Sequence, residues 1–173
     1  MRPFIRVPLT YSAIGAALVT ALSISLYYMD IHPLLIPVHL DARIILFIIF
    51  IFFTLKELRD NYRGGVLSFG EGLMCSFLFV SFFALIASLF LGVFAWADSE
   101  FVSSFIALFR KQIEGLGEED VRQIGKENIT RNLEALSSTN AFWMAWNYFK
   151  QSFWIGAPIS IIFSVIIRKH PKT

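Results

Sequence analysis

The sequence predicts an all-α integral membrane protein: four spanning helices, with an extracytoplasmic helical hairpin between the third and fourth. Three observations carry this. Apolar residues gather in long blocks at about 8–29, 37–58, 69–97 and 141–167. Charged residues make up 16% of the chain, against about 25% in soluble domains, and they are missing from those blocks rather than thinned evenly. Each block has the length of a bilayer crossing, about 20 residues, and a helix is the only open-chain structure that satisfies its backbone in lipid. The 173 residues then form a single membrane domain, with the hairpin at 98–140.

The first block follows Arg2 and Arg6. It ends Leu-Tyr-Tyr-Met-Asp without a small-x-small cleavage site, so it reads as a retained helix rather than a signal peptide. Ala13, Ala16, Ala17, Thr20 and Ala21 repeat along it. Small side chains let helices approach closely in lipid, so this face is expected to lie between helices or in a homodimer contact. Pro33 and Pro37 place a turn before the second block. That block has a short uninterrupted core, Ile44–Leu55. To cross, it needs Asp41 to Leu58, with Arg43 and Lys56 snorkelling at opposite interfaces.

Lys56, Arg59, Asp60 and Arg63 follow at i, i+3, i+4 and i+7, a charged stripe on the last turns of helix two. They are the strongest candidates for contact with lipid headgroups or a partner. Gly64-Gly65 stops the helix, and Ser68 with Glu71 forms a capping box for the third block. In that block Ala84, Ser88 and Gly92 form a second small stripe. Phe69–Ala97 is long enough, about 43 Å, to require tilt or protrusion.

Beyond it, Phe101, Phe105, Leu108 and Ile113 keep a helical period until Glu114-Gly115-Leu116-Gly117 breaks it. Glu118, Glu119 and Asp120 suit the start of a second arm. Val121, Ile124, Leu133 and Leu136 give that arm an apolar stripe, and Ser137-Ser138-Thr139-Asn140 marks a break before the last block. The last block holds Lys150, the most interior charge of any span, and Pro158, where a kink is expected. Counting back from Ile167 places Lys150 near the outer interface, where it can snorkel.

Basic residues set the orientation. Arg2, Arg6, Lys56, Arg59, Arg63, Arg168, Lys169 and Lys172 fall on one side after an even number of crossings, which predicts that both termini are cytoplasmic. The 98–140 segment has eight acids and five bases. Trp96, Trp143 and Trp146 sit at the outer ends of their spans, as an aromatic belt does.

Arg59-Asp60-Asn61-Tyr62, Gly64-Gly65, Ser68-Phe69-Gly70, four spans and the basic tail together resemble a bacterial membrane family. It is domain of unknown function 4199, mainly of Bacteroidetes. The resemblance covers nearly the whole chain and implies a four-helix domain in the bacterial inner membrane. It supplies no catalytic residues.

Other motifs are weak. Asp30, His32, His39 and Asp41 are metal-ligand types, but their spacing matches no established zinc pattern. Cys75 is the only cysteine and reads as a packing residue. Asn128-Ile129-Thr130 fits a glycosylation sequon of little meaning in a bacterium. There is no H-E-x-x-H, no phosphate-binding glycine loop and no G-x-S-x-G. The expectation is a non-enzymatic accessory protein of the envelope without a cofactor. Its partners would be membrane lipid and another copy or an envelope protein, not nucleic acid. The alternative is a small oligomeric transporter or channel.

Overall fold

The computed structural model describes residues 3–117, 119, 121–122, 125–136 and 138–169. Arg2, Glu118, Asp120, Ile124, Ser137 and Lys172, all invoked above, lie outside the described residues. The helices are α1 (Pro3–Tyr28), α2 (Ala42–Glu57), α3 (Phe69–Ala97), α4 (Ser99–Glu114), α5 (Lys126–Leu136) and α6 (Ala141–Ile167). Among the described residues, α1, α3 and α6 are long and apolar enough to cross a bilayer, which marks the chain as a membrane protein. Their outward surface is correspondingly apolar, with Leu85, Leu89, Phe90, Trp154, Ile162 and Ile166 all exposed. Patches of this extent are rare on soluble monomers.

α1 starts five residues earlier than the apolar block and carries Pro8 inside its second turn. It closes on a Schellman motif. Ile31 N–H donates to the Leu26 carbonyl and Asp30 N–H to that of Tyr27, at 3.0 and 3.1 Å, with Asp30 left-handed at φ 62°. Glycine normally fills this position; aspartate is one of the few other residues that visit it.

α2 is shorter than its block, because residues 38–40 form a 3₁₀ turn. Its far end widens into a π-turn over Leu58–Tyr62. Gly64 and Gly65, at φ 60° and 81°, then reverse the chain. α3 starts where the capping box requires. Glu71 N–H donates to Ser68 Oγ at 3.3 Å, and Ser68 N–H donates back to Glu71 Oε2 at 3.2 Å.

The four long helices run up, down, up and down. Arg63 lies over the Phe4 ring, and Leu67 exchanges backbone hydrogen bonds of 3.1 and 2.9 Å with Lys169. These contacts bring the start of α1, the 58–68 turn and the end of α6 together at one end, here called the base. The opposite end is the hairpin end.

Packing between α3 and α6 depends on missing side chains. A Cβ on Gly156 would lie 2.7 Å from Val80, and one on Gly92 would lie 2.9 Å from Ala145. Ser152, Gly156, Ser160 and Ser164, four residues apart, line this seam of α6 and are buried. Ser76 and Ser164 meet across it at 3.3 Å. In the α3 stripe Ala84 and Ser88 are buried, and Gly92 lies at this seam. The stripe on α1 turns inward only in part. Ser12, Gly15, Ala16, Val19 and Ser23 are buried, whereas Ala13, Ala17 and Ala21 are exposed. The reason is the bulk opposite: the Phe83 and Phe50 rings already press on Gly15 at 3.0 and 3.2 Å from a notional Cβ. The inward face is set by those rings rather than by the alanines.

The middle of the bundle is filled by Phe47, Ile51, Phe79 and Phe83, all fully buried. The Phe47 and Phe83 ring centroids are 4.6 Å apart. Cys75 is buried among the core residues, and α6 passes through Pro158 as one helix.

At the hairpin end α4 does not continue α3. Asp98 caps it by accepting from Glu100 N–H at 3.0 Å. Phe101 and Phe105 then fold it onto the 30–36 turn, so this arm packs against the bundle instead of simply projecting from it. Tyr27, Phe94 and His32 surround the Phe101 ring, with centroids 4.9, 5.2 and 4.6 Å away. The expected breaks at Gly115 and at Ser138–Asn140 are present. Leu133 and Leu136 of α5 pack against the core.

Candidate functional site

The most concentrated polar chemistry lies at the hairpin end. Arg43 sits at the second position of α2, and its side chain does not snorkel as the sequence predicts. It is 2% exposed. Nε donates to Asp41 Oδ1 and Oδ2 at 2.9 and 2.8 Å, and Nη2 also pairs with Oδ2. Nη1 donates to Ser152 Oγ at 2.9 Å and Nη2 to Gln151 Oε1 at 2.8 Å. The guanidinium carbon stands 4.3 Å from the Tyr148 ring centroid. Local sequence explains half of this. Asp41 caps α2 by accepting from Arg43 N–H at 2.9 Å, which places its carboxylate beside the guanidinium two residues on. The other half comes from α6, where Tyr148, Gln151 and Ser152 face α2. Burying a guanidinium is tolerable when its donors are paired in this way. A cavity of about 520 Å³ opens on this group, lined by Val19, Leu22, Ile31, Pro37, Arg43 and Tyr148 among others.

Lys150, predicted as the interior polar residue, is on the adjoining face of α6. It is exposed, with Nζ 6.0 Å from the Trp146 ring centroid. It lines a smaller recess of about 350 Å³ with Leu34, Phe105, Trp143, Asn147, Gln151 and Trp154. Gln151 is shared by the two places.

Lys56, Arg59, Asp60 and Arg63, at the base, do not form the single stripe that helical spacing predicts. The π-turn changes their register, and they divide between two ion pairs and a ring contact. Arg59 Nε donates to Asp60 Oδ1 at 2.7 Å. That bond pushes the Arg59 guanidinium further up and holds the Asp60 carboxyl below its usual range. Arg63 pairs with Glu71 at 2.6 Å and stacks on Phe4 at 4.9 Å. Lys56 rests over Phe52 at 5.8 Å. Much of the positive charge is therefore matched locally. Glu57, at the end of α2, accepts from the Tyr11 hydroxyl at 2.7 Å. A groove of about 780 Å³ runs between α1 and α3 here, lined by Phe4, Ile5, Tyr62, Arg63, Met74 and Leu78 among others.

The four metal-type residues of the outer turn are not a cluster, and no group of three such residues lies together among the described residues. Asp41 serves Arg43. His32 is buried and uses both ring nitrogens. Nδ1 accepts from Leu34 N–H at 3.3 Å, which leaves the proton on Nε2 to donate to the Phe101 carbonyl at 3.1 Å. Burial holds its pKa below the ordinary value despite the opposing pull of that carbonyl.

Sequence reasoning missed Arg43 as a buried centre, because its α6 partners are over a hundred residues away. The small residues at every fourth position of α6 were the available signal that this helix packs tightly at Ser152. Among known proteins, a family model described as "Protein of unknown function (DUF4199)" matches residues 10–169. The chain matches no curated protein and no solved structure.

Proposed function

The chain belongs to the DUF4199 family of proteins of unknown function, and from that premise we propose a multi-pass membrane protein that acts through contacts. In this reading it is a non-enzymatic accessory component of the bacterial envelope. α2 makes the fourth crossing, over about residues 37–58, with its sixteen-residue helix at the centre. Both termini face the cytoplasm, following the basic residues of the base, and the α4–α5 hairpin lies on the opposite side of the inner membrane. Its partners are membrane lipid and either a second copy or an envelope protein.

The observation that carries this reading is the filled centre. Phe47, Ile51, Phe79 and Phe83 occupy the axis of the bundle, and the charged groups lie toward its two ends. One chain thus offers surfaces rather than a passage. The test is site-specific crosslinking from exposed hairpin residues in native membranes, read by mass spectrometry. The expected result is one recurrent protein adduct, to an envelope protein or to the chain itself. Absence of any such adduct, with elution as a lone protein after mild detergent extraction, would overturn the proposal.

A transport reading draws on one specific feature, the buried Arg43 beside a 520 Å³ cavity, since interior ionisable groups mark many transport routes. It requires a pathway between copies of the chain. Proteoliposomes that stay silent under several ion and solute gradients would refute it.

A further inference from the structure

Trp143, Asn147, Lys150 and Trp154 lie at i, i+4, i+7 and i+11 of α6, which puts them on one helical face. From this face we infer a binding site for the headgroup of an anionic phospholipid in the leaflet at the hairpin end. It rests on the bilayer placement of α6, not on the contact role proposed above.

The chemistry of the recess selects an anion. Among the described residues no carboxylate pairs with Lys150; its ammonium stands over the Trp146 ring. Gln151 is oriented by Arg43. A guanidinium only donates, so the amide oxygen must face it, at 2.8 Å, and the amide N–H₂ is left to donate elsewhere. Both residues line the same recess. An ammonium and an amide donor therefore serve one small volume. Asn147 donates to the Trp143 carbonyl at 2.9 Å, so its own oxygen remains free for a headgroup hydroxyl.

Depth and shape select a lipid. From Gln151 to Ile167 the helix rises about 24 Å, close to most of the hydrocarbon thickness. Lys150 then lies just inside the hairpin-end interface, from which its ammonium snorkels to the headgroup level, and Trp154 lies about 6 Å deeper. Trp154 is 78% exposed, on the side where an acyl chain below a headgroup would run. Leu34, Phe105 and Trp143 complete an apolar rim. A soluble phosphate would gain nothing from that rim.

The experiment uses the full chain reconstituted into phosphatidylcholine vesicles. Part of the lipid is replaced by brominated phosphatidylglycerol or by brominated phosphatidylcholine at equal mole fraction, and tryptophan quenching is read. The expected result is an apparent preference for the anionic lipid of about fivefold, the effect of one interfacial base. Lys150→Gln should abolish the preference and Lys150→Arg should keep it. Lys111→Gln, at an exposed base of α4 outside the recess, should leave it unchanged. Lys150 is exposed, so these variants are expected to fold, which circular dichroism verifies. Equal quenching by the two lipids, or a preference that survives Lys150→Gln, overturns the inference. So does relief of quenching by millimolar inorganic phosphate, which would mark a site for a soluble anion. None of these outcomes depends on a protein partner being found.

Discussion

Replacing Arg43 by methionine tests whether the hairpin end is as dry as its geometry implies. The substitution keeps an unbranched apolar stem but removes the bonds to Asp41, Gln151 and Ser152 and the stacking on Tyr148. It leaves the Asp41 carboxylate, only 10% exposed, without its cation. Removing one partner of a buried pair costs about 3–5 kcal/mol, because the stranded charge is worse than no pair. Removing both charges should recover most of that loss. Asp41→Ser is the appropriate second change, since serine can still cap α2 as Asp41 does at Arg43 N–H. The double variant is therefore expected within about 2 kcal/mol of the parent. The assay is unfolding in mixed micelles of increasing SDS fraction, followed by fluorescence of the α6 tryptophans. A loss below about 1 kcal/mol for Arg43→Met, the worth of an exposed pair, would show that water reaches the guanidinium and refute the reasoning. So would a double variant as unstable as the single one.

Two further outcomes follow from packing and protonation. Gly156→Ala places a methyl 2.7 Å from Val80 and should destabilise by about 1–3 kcal/mol. Val80→Ala should relieve it in combination, and Gly70→Ala, where a Cβ meets nothing, should stay within about 0.5 kcal/mol in the same unfolding assay. His32 should make the hairpin end acid-sensitive. The unfolded chain binds a proton near the ordinary pKa of about 6.5, while the folded site resists it, so stability is complete above that value. Stability falls as the pH drops through it and levels off below the folded pKa. Protonation would also set an N–H of the ring against Leu34 N–H. Thermal unfolding between pH 7.5 and 5 should show the fall, and His32→Gln should flatten it; an equally steep profile in the variant would exclude His32 as the cause.

Features encoded by neighbouring residues were legible in the sequence. The capping box at Ser68 and Glu71, the stop at Gly64-Gly65, the bounds of α3 and the breaks around Gly115 and Asn140 are each determined within a few residues. What distant elements decide was not legible. Burial of Arg43 needs α6 beside α2, and the outward turn of Ala13, Ala17 and Ala21 needs the rings of Phe50 and Phe83 against Gly15. The π-turn at Leu58–Tyr62 leaves no compositional trace, yet it separates Arg63 from Arg59 and sends it to Glu71. Of the candidate residues, Lys150 is exposed and lines a recess on α6. At the base, Arg59 and Arg63 each pair with a carboxylate.

The two backbone bonds between Leu67 and Lys169 join a turn to a segment that follows it by about a hundred positions. On a ribosome the first three long helices are complete while their fourth neighbour is still unmade. During that interval the narrow furrow holding Gly72, Ser76 and Val80 has only lipid or an insertion factor to cover it. Joining the last segment to Leu67 is then the latch that closes the assembled bundle.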